Sequence, residues 1–79
     1  MLVFLMAEQH KIEAIYRKVA QRVRDELERQ DKPAEKLAFE IDLGKSQMSL
    51  FLNGKRRVTL HTLERIADGL EVPLKNLLP

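Results

Sequence analysis

The stretch that decides the fold runs from residue 33 to residue 58: PAEKLAFEIDLGKSQMSLFLNGKRRV. Pro33 suits the first turn of a helix, where its missing N–H costs nothing. Leu37, Ala38 and Ile41 then recur at spacings of three and four, so the spacing predicts a short helix over 33–41 with one apolar side. Asp42 falls at the break, and Asp tolerates the left-handed conformation better than most residues. Leu43 follows as a buried turn residue, and Gly44 opens a second short helix, Lys45 to Leu52, with Met48, Phe51 and Leu52 apolar. Asn53-Gly54 ends it, Gly54 being the natural left-handed residue after a helix. Two short helices about a tight turn is the helix-turn-helix signature.

Working outward, a long helix is predicted ahead of this pair, from about Glu8 to Gln30. Ile12, Ile15, Tyr16, Val19, Val23 and Leu27 form its apolar stripe. Asp31 is placed to cap the segment that follows. Beyond the pair, Thr59 is placed as an N-cap. Leu60, Leu63, Ile66, Ala67 and Leu70 give a fourth stripe, and Val72-Pro73 opens a last short helix with Leu74, Leu77 and Leu78. Gly44, Gly54 and Gly69, with Pro33, Pro73 and Pro79, punctuate these segments. The expectation is an all-α, five-helix domain over residues 8–79, preceded by an apolar extension at 1–7, extended or helical.

Composition narrows the function. With 79 residues, the chain is one small domain that buries only ~60% of its unfolded surface, too little for a large cofactor cleft. Cysteine is absent, so disulfides, thiolate nucleophiles and Cys-based metal sites are excluded. The two histidines, His10 and His61, lie far apart with no carboxylate at ligand spacing, and neither a metal nor a cofactor is expected. His61 and Glu64 are three apart on one helix face, an arrangement that reads as a surface pair rather than as catalysis. The longest apolar run, Met1–Ala7, is too short to span a bilayer and lacks the basic start of a signal peptide. Its Leu2, Val3, Phe4 and Leu5 make a patch that something must cover, a second copy being the preferred cover. A translation start at Met6 would remove the patch altogether.

The net charge of +2 is unevenly spread. Residues 45–65 hold Lys45, Lys55, Arg56, Arg57 and Arg65 against Glu64 alone, a net +4, while the flanking segments are each −1. A basic patch beside a short helix is the electrostatic footprint of phosphate binding, although a solvated loop carries the same charges.

From about Val19 to Leu78 the sequence resembles the lambda-repressor-like (Xre-type) helix-turn-helix family. The residues that carry the resemblance are Leu37-Ala38, Leu43-Gly44-Lys45-Ser46, Met48, Ser49, Phe51, Asn53-Gly54-Lys55, Leu63, Ile66-Ala67, Leu70, Val72, Leu74 and Leu77. The resemblance implies a compact five-helix fold whose third helix enters the major groove of double-stranded DNA. Lys45, Ser46 and Leu50 would then meet base edges: Lys donating to guanine, Ser donating or accepting, Leu against a thymine methyl. Gln47 and Ser49 would reach phosphate or a flanking base, and Asn53, Lys55, Arg56 and Arg57 would hold the backbone, setting register without reading sequence. Three positions depart from the family pattern. Ala34 stands where Gln usually contacts phosphate, and Asp42 stands where the turn often has Gly. Leu27 and Leu52 stand where many members bury an Arg–Glu pair.

The leading expectation is a repressor-type transcriptional regulator, cytoplasmic and nucleoid-associated in a bacterial or phage setting, acting as a homodimer on a two-fold site. Leu77 and Leu78 join the N-terminal patch as dimer candidates, with Leu74 expected to close the core. The alternative is a protein-interaction module or antitoxin-like partner, with DNA binding secondary or lost, favoured by Ala34 and Asp42.

Overall fold

The computed structural model describes the backbone of residues 2–79 and the side chains of residues 14–79. Four α-helices follow one another: α1 Leu2–Arg29, α2 Ala34–Glu40, α3 Lys45–Leu52 and α4 Leu60–Leu70. A single 3-10 turn, Leu74–Asn76, takes the place of the expected fifth helix. Only three residues separate Pro73 from Leu77, so the apolar side chains there are seated by one turn. Helix α1 starts at Leu2 rather than near Glu8, and its 28 residues make a rod of about 42 Å. The side chains of Leu2, Val3, Phe4 and Leu5 lie outside the described residues. No described helix is long and apolar enough to cross a membrane.

One core joins the elements. Val19, Ala20, Val23 and Leu27 of α1 meet Leu37, Ala38 and Ile41 of the α2 segment, Met48 and Phe51 of α3, and Leu63, Ile66, Ala67 and Leu70 of α4. Ile12 lies outside the described side chains and Tyr16 is half-buried; the other stripe residues read from sequence for α1, α2 and α4 are buried, with two corrections. Leu60, at the first position of α4, is 64% exposed, and Ile15 is 48% exposed. The roles of the last leucines also change. Leu77 is the buried residue, at 1% exposure, whereas Leu74 is only half-buried against the core. Burial in the single chain leaves Leu77 no surface to offer a partner; Leu78 remains exposed.

Each α-helix ends in the same way. After α1, α2, α3 and α4 a residue with left-handed backbone, Asp31, Asp42, Gly54 and Glu71 respectively, turns the chain. In every case its N–H and the next one reach back to carbonyls of the last turn, as in Asp42 N to Phe39 O at 3.2 Å and Leu43 N to Ala38 O at 2.8 Å. This is the Schellman arrangement, and it satisfies carbonyls the helix leaves unpaired. Asp31 thus closes α1 rather than capping α2, whose N-cap is Pro33 with no side-chain bond. Thr59 does cap α4, its side chain accepting from Thr62 N.

Two helix ends are also closed from elsewhere in the chain. Arg65 donates to Ile41 O at the end of α2. Gln30 Nε2 donates to Leu70 O at 2.7 Å and Lys32 Nζ to Gly69 O at 2.9 Å, both at the end of α4. Gly69 lies inside α4 rather than at a break. A Cβ there would come within 2.5 Å of Leu37 Cδ1 and 3.0 Å of Ile41 Cγ2, so the missing side chain lets α4 lie close on α2.

Candidate nucleic-acid interface

Helix α3 has eight residues, and its two faces divide cleanly. Met48 and Phe51 are buried, and Leu52 packs half-buried against the core. Lys45, Ser46, Gln47, Ser49 and Leu50 all face solvent. The residues expected to read bases therefore share one exposed surface, together with the two expected to reach flanking groups. The left-handed turn at Asp42 and the extended Gly44, with φ −61° and ψ 143°, set that surface relative to α2.

Lys45, the first residue of α3, is not a free cation. Its Nζ lies 2.8 Å from Glu35 Oε1 in the first turn of α2. The hydrogen bond to that carboxylate, and then its charge, hold the ammonium above lysine's usual range. No acidic residue lies in the first turn of α3 itself. Glu35 itself sits in the first turn of α2, where the positive end of that helix's dipole favours a negative charge.

The basic loop follows α3 directly. Gly54, with φ +70°, turns the chain, and a Cβ there would stand 3.2 Å from Arg17 Cγ on α1. Lys55, Arg56 and Arg57 are all exposed and form no ion pair among the described residues. The far end of the loop is held by Tyr16, whose hydroxyl donates to Val58 O at 3.1 Å. Tyr16 belongs to the apolar stripe read from sequence; its hydroxyl also fastens the loop to α1. A bond spanning 42 residues is invisible to local pattern. Asn53 Nδ2 donates to Ser49 O at 2.9 Å, which keeps its amide over the end of α3. Arg65 does not belong to the basic patch, because its guanidinium caps α2.

A cleft of about 240 Å³ opens between α1, α2 and α3, lined by Arg24, Ala34, Glu35, Lys45, Ser49 and Asn53 among others. The small side chain of Ala34 leaves this space where the family pattern expects Gln. Arg24 was not singled out by sequence, since one Arg among many on α1 carries no local signal; its place in the cleft appears only once α1 packs on α3. On another face, Ile15, Tyr16, Val58, Leu60, Leu63 and Leu78 line an apolar groove of about 290 Å³. Phe39 stands 87% exposed on α2, also unremarked by sequence. Among the described residues no cluster of His, Asp or Glu could hold a metal ion.

Comparison with known proteins gives a consistent result. A family model described as helix-turn-helix matches residues 23–77. The chain is 42% identical over 50 residues to the control protein C.MunI of a Mycoplasma species, covering 63% of this chain and 68% of that protein. The fold is similar to that of the crystal structure of the restriction-modification controller protein C.AhdI from Aeromonas hydrophila. That likeness has a TM-score of 0.78 at 28% identity, over 82% of this chain and 98% of the other.

Proposed function

We propose a function for this chain from one premise: it belongs to the helix-turn-helix family. It is a DNA-binding transcriptional regulator. In the finer reading, α3 enters the major groove, Lys45, Ser46 and Leu50 meet base edges, and Gln47, Ser49, Asn53, Lys55, Arg56 and Arg57 hold phosphates or flanking groups. The observation that carries this reading is the division of α3. Its outward side chains are all exposed, and the helix runs directly into a basic loop that Gly54 turns and Tyr16 fastens at its far end. Such a surface supplies both the positioning and the reading contacts a duplex requires.

The relatives named as controllers support a narrower role, the control of genes of a restriction–modification set, in the cytoplasm and on the nucleoid. A short recognition helix sees few base pairs, so two copies one helical turn apart are the working unit. The apolar groove of Ile15, Leu60 and Leu78, on a different face from α3, supports a two-fold contact, with the N-terminal patch as its second element.

Selection of bound sequences from a random duplex pool tests the reading. The expected outcome is a palindrome whose half-sites are spaced by one turn. Exposed Phe39 and the missing Gln at position 34 favour the second reading, a protein-interaction module. That reading predicts no DNA gel shift even at low salt.

A further inference from the structure

We propose that Glu35, on α2, is a specificity-determining residue, and that with Lys45 it reads a single G·C base pair as a preformed carboxylate–ammonium pair. The inference rests on the reading that α3 enters the major groove. Its starting point is the 2.8 Å contact between Lys45 Nζ and Glu35 Oε1, which joins the first turns of the two helices. The two side chains are 75% and 68% exposed, and an ion pair so open to water contributes little to folding. Its position in the cleft beside Ser49 and Asn53 places it on the surface that would meet DNA.

Docking would strip water from both groups. Lys45 finds acceptors at guanine N7 and O6. The Glu35 carboxylate accepts only, and one of its oxygens already faces Lys45. Phosphate oxygens repel it, and guanine and thymine offer it only acceptors at their major-groove edges. It therefore requires an exocyclic amino group. Cytosine N4 is such a donor, and it lies beside the O6 of the guanine it pairs with, about 2.9 Å away as any base-pair hydrogen bond demands. The spacing of donor and acceptor on the protein matches the spacing of acceptor and donor on that base pair. A T·A pair offers the same order of keto and amino groups, but it sets the thymine methyl against the ammonium where guanine has N7.

The test is random-pool selection with the full chain, followed by affinity measurement, on wild type, Glu35→Ala, Glu35→Gln, Lys45→Ala and the Glu35→Ala/Lys45→Ala double variant. In the expected result Glu35→Ala lowers the preference for the G·C pair about tenfold and leaves the other positions of the site unchanged. Lys45→Ala loses preference at that same base pair. Glu35→Gln shifts it towards T·A, because an amide pairs well with adenine. The double variant loses less than the two single losses combined, as coupled residues do. The proposal is overturned if Glu35→Ala binds every sequence more tightly and keeps the wild-type preferences, for then the carboxylate merely repels phosphate. It is equally overturned if Glu35→Ala and Lys45→Ala alter different base pairs. A wild-type chain that enriches no sequence refutes the functional reading itself, whereas an enriched site recovered unchanged by the Glu35 variants refutes this inference alone.

Discussion

Replacing Asp42 by Gly should stabilise the protein. Asp42 closes α2 with φ 56°, and its N–H and that of Leu43 bond back to Phe39 O and Ala38 O. An L-residue in this region costs roughly 1–2 kcal/mol, with Asp at the low end because its short side chain tolerates the geometry. Glycine removes that cost, offset by ~0.5–1 kcal/mol of extra freedom in the unfolded chain. A carboxylate beside the negative end of a helix adds ~0.3–1 kcal/mol of repulsion, which Gly also removes. The net expectation for Asp42→Gly is a gain of about 1 kcal/mol, or about 4–8 °C in Tm for a domain of this size. Two controls separate the contributions. Asp42→Asn keeps the conformational tolerance and loses the charge, so it should gain only the dipole share. Asp42→Ala keeps the strained φ without a tolerant side chain and should melt below wild type. Thermal unfolding followed by circular dichroism ranks the four proteins. If Asp42→Gly melts no higher than wild type, the strain assigned to this turn is absent. The same exchange removes a negative charge from the turn before α3, so DNA affinity at low salt should rise.

Gly69→Ala should destabilise the fold by ~1–3 kcal/mol through the clash with Leu37 and Ile41, lessened by about 1 kcal/mol of helix propensity; urea unfolding checks it, and an unchanged midpoint would mean that α4 shifts freely on α2. Arg56→Ala should weaken binding to all sequences about equally and reduce the salt slope by about one per monomer, measured by titration at several salt concentrations; a change confined to one base pair would reassign it to base reading. Deleting residues 1–5 should move sedimentation towards monomer and weaken binding to a paired site more than to a half-site. A truncated chain that remains a full dimer would put the interface on the Ile15, Leu60 and Leu78 groove.

What the sequence made legible was what local pattern encodes. The bounds of α3 and the left-handed Asp42 and Gly54 follow from side-chain period and turn chemistry alone. The core stripes of α1, α2 and α4 were legible for the same reason, because a helix buries whatever lies at spacings of three and four. Choices made between helices escaped that reading. Leu74 and Leu77 are both apolar near the chain end, and only the 3-10 turn decides which one enters the core. Gly69 looks like punctuation until α2 is seen lying across it. In the candidate site, Lys45 and the basic loop were visible as charge. The Glu35 pairing, the Tyr16 bond to Val58 and the diversion of Arg65 to Ile41 O join segments distant in sequence or separated by a turn.

The division of α3 bears on how such a protein can change over generations. Five outward positions carry the proposed reading surface, while Met48 and Phe51 alone are buried in the core from this helix. The helix is closed by its own neighbours, Gly44 before it and Asn53 and Gly54 after it. Helices α2 and α4 are closed by their own turns as well, but also receive Arg65, Gln30 and Lys32 from elsewhere in the chain. Substitutions at Lys45, Ser46, Gln47, Ser49 and Leu50 therefore leave the core contacts in place, and exposed positions of this kind usually shift stability by no more than about 0.5 kcal/mol. Target preference can drift among descendants one codon at a time, with each intermediate still folded. A duplicated gene could acquire a new operator without first acquiring a new scaffold.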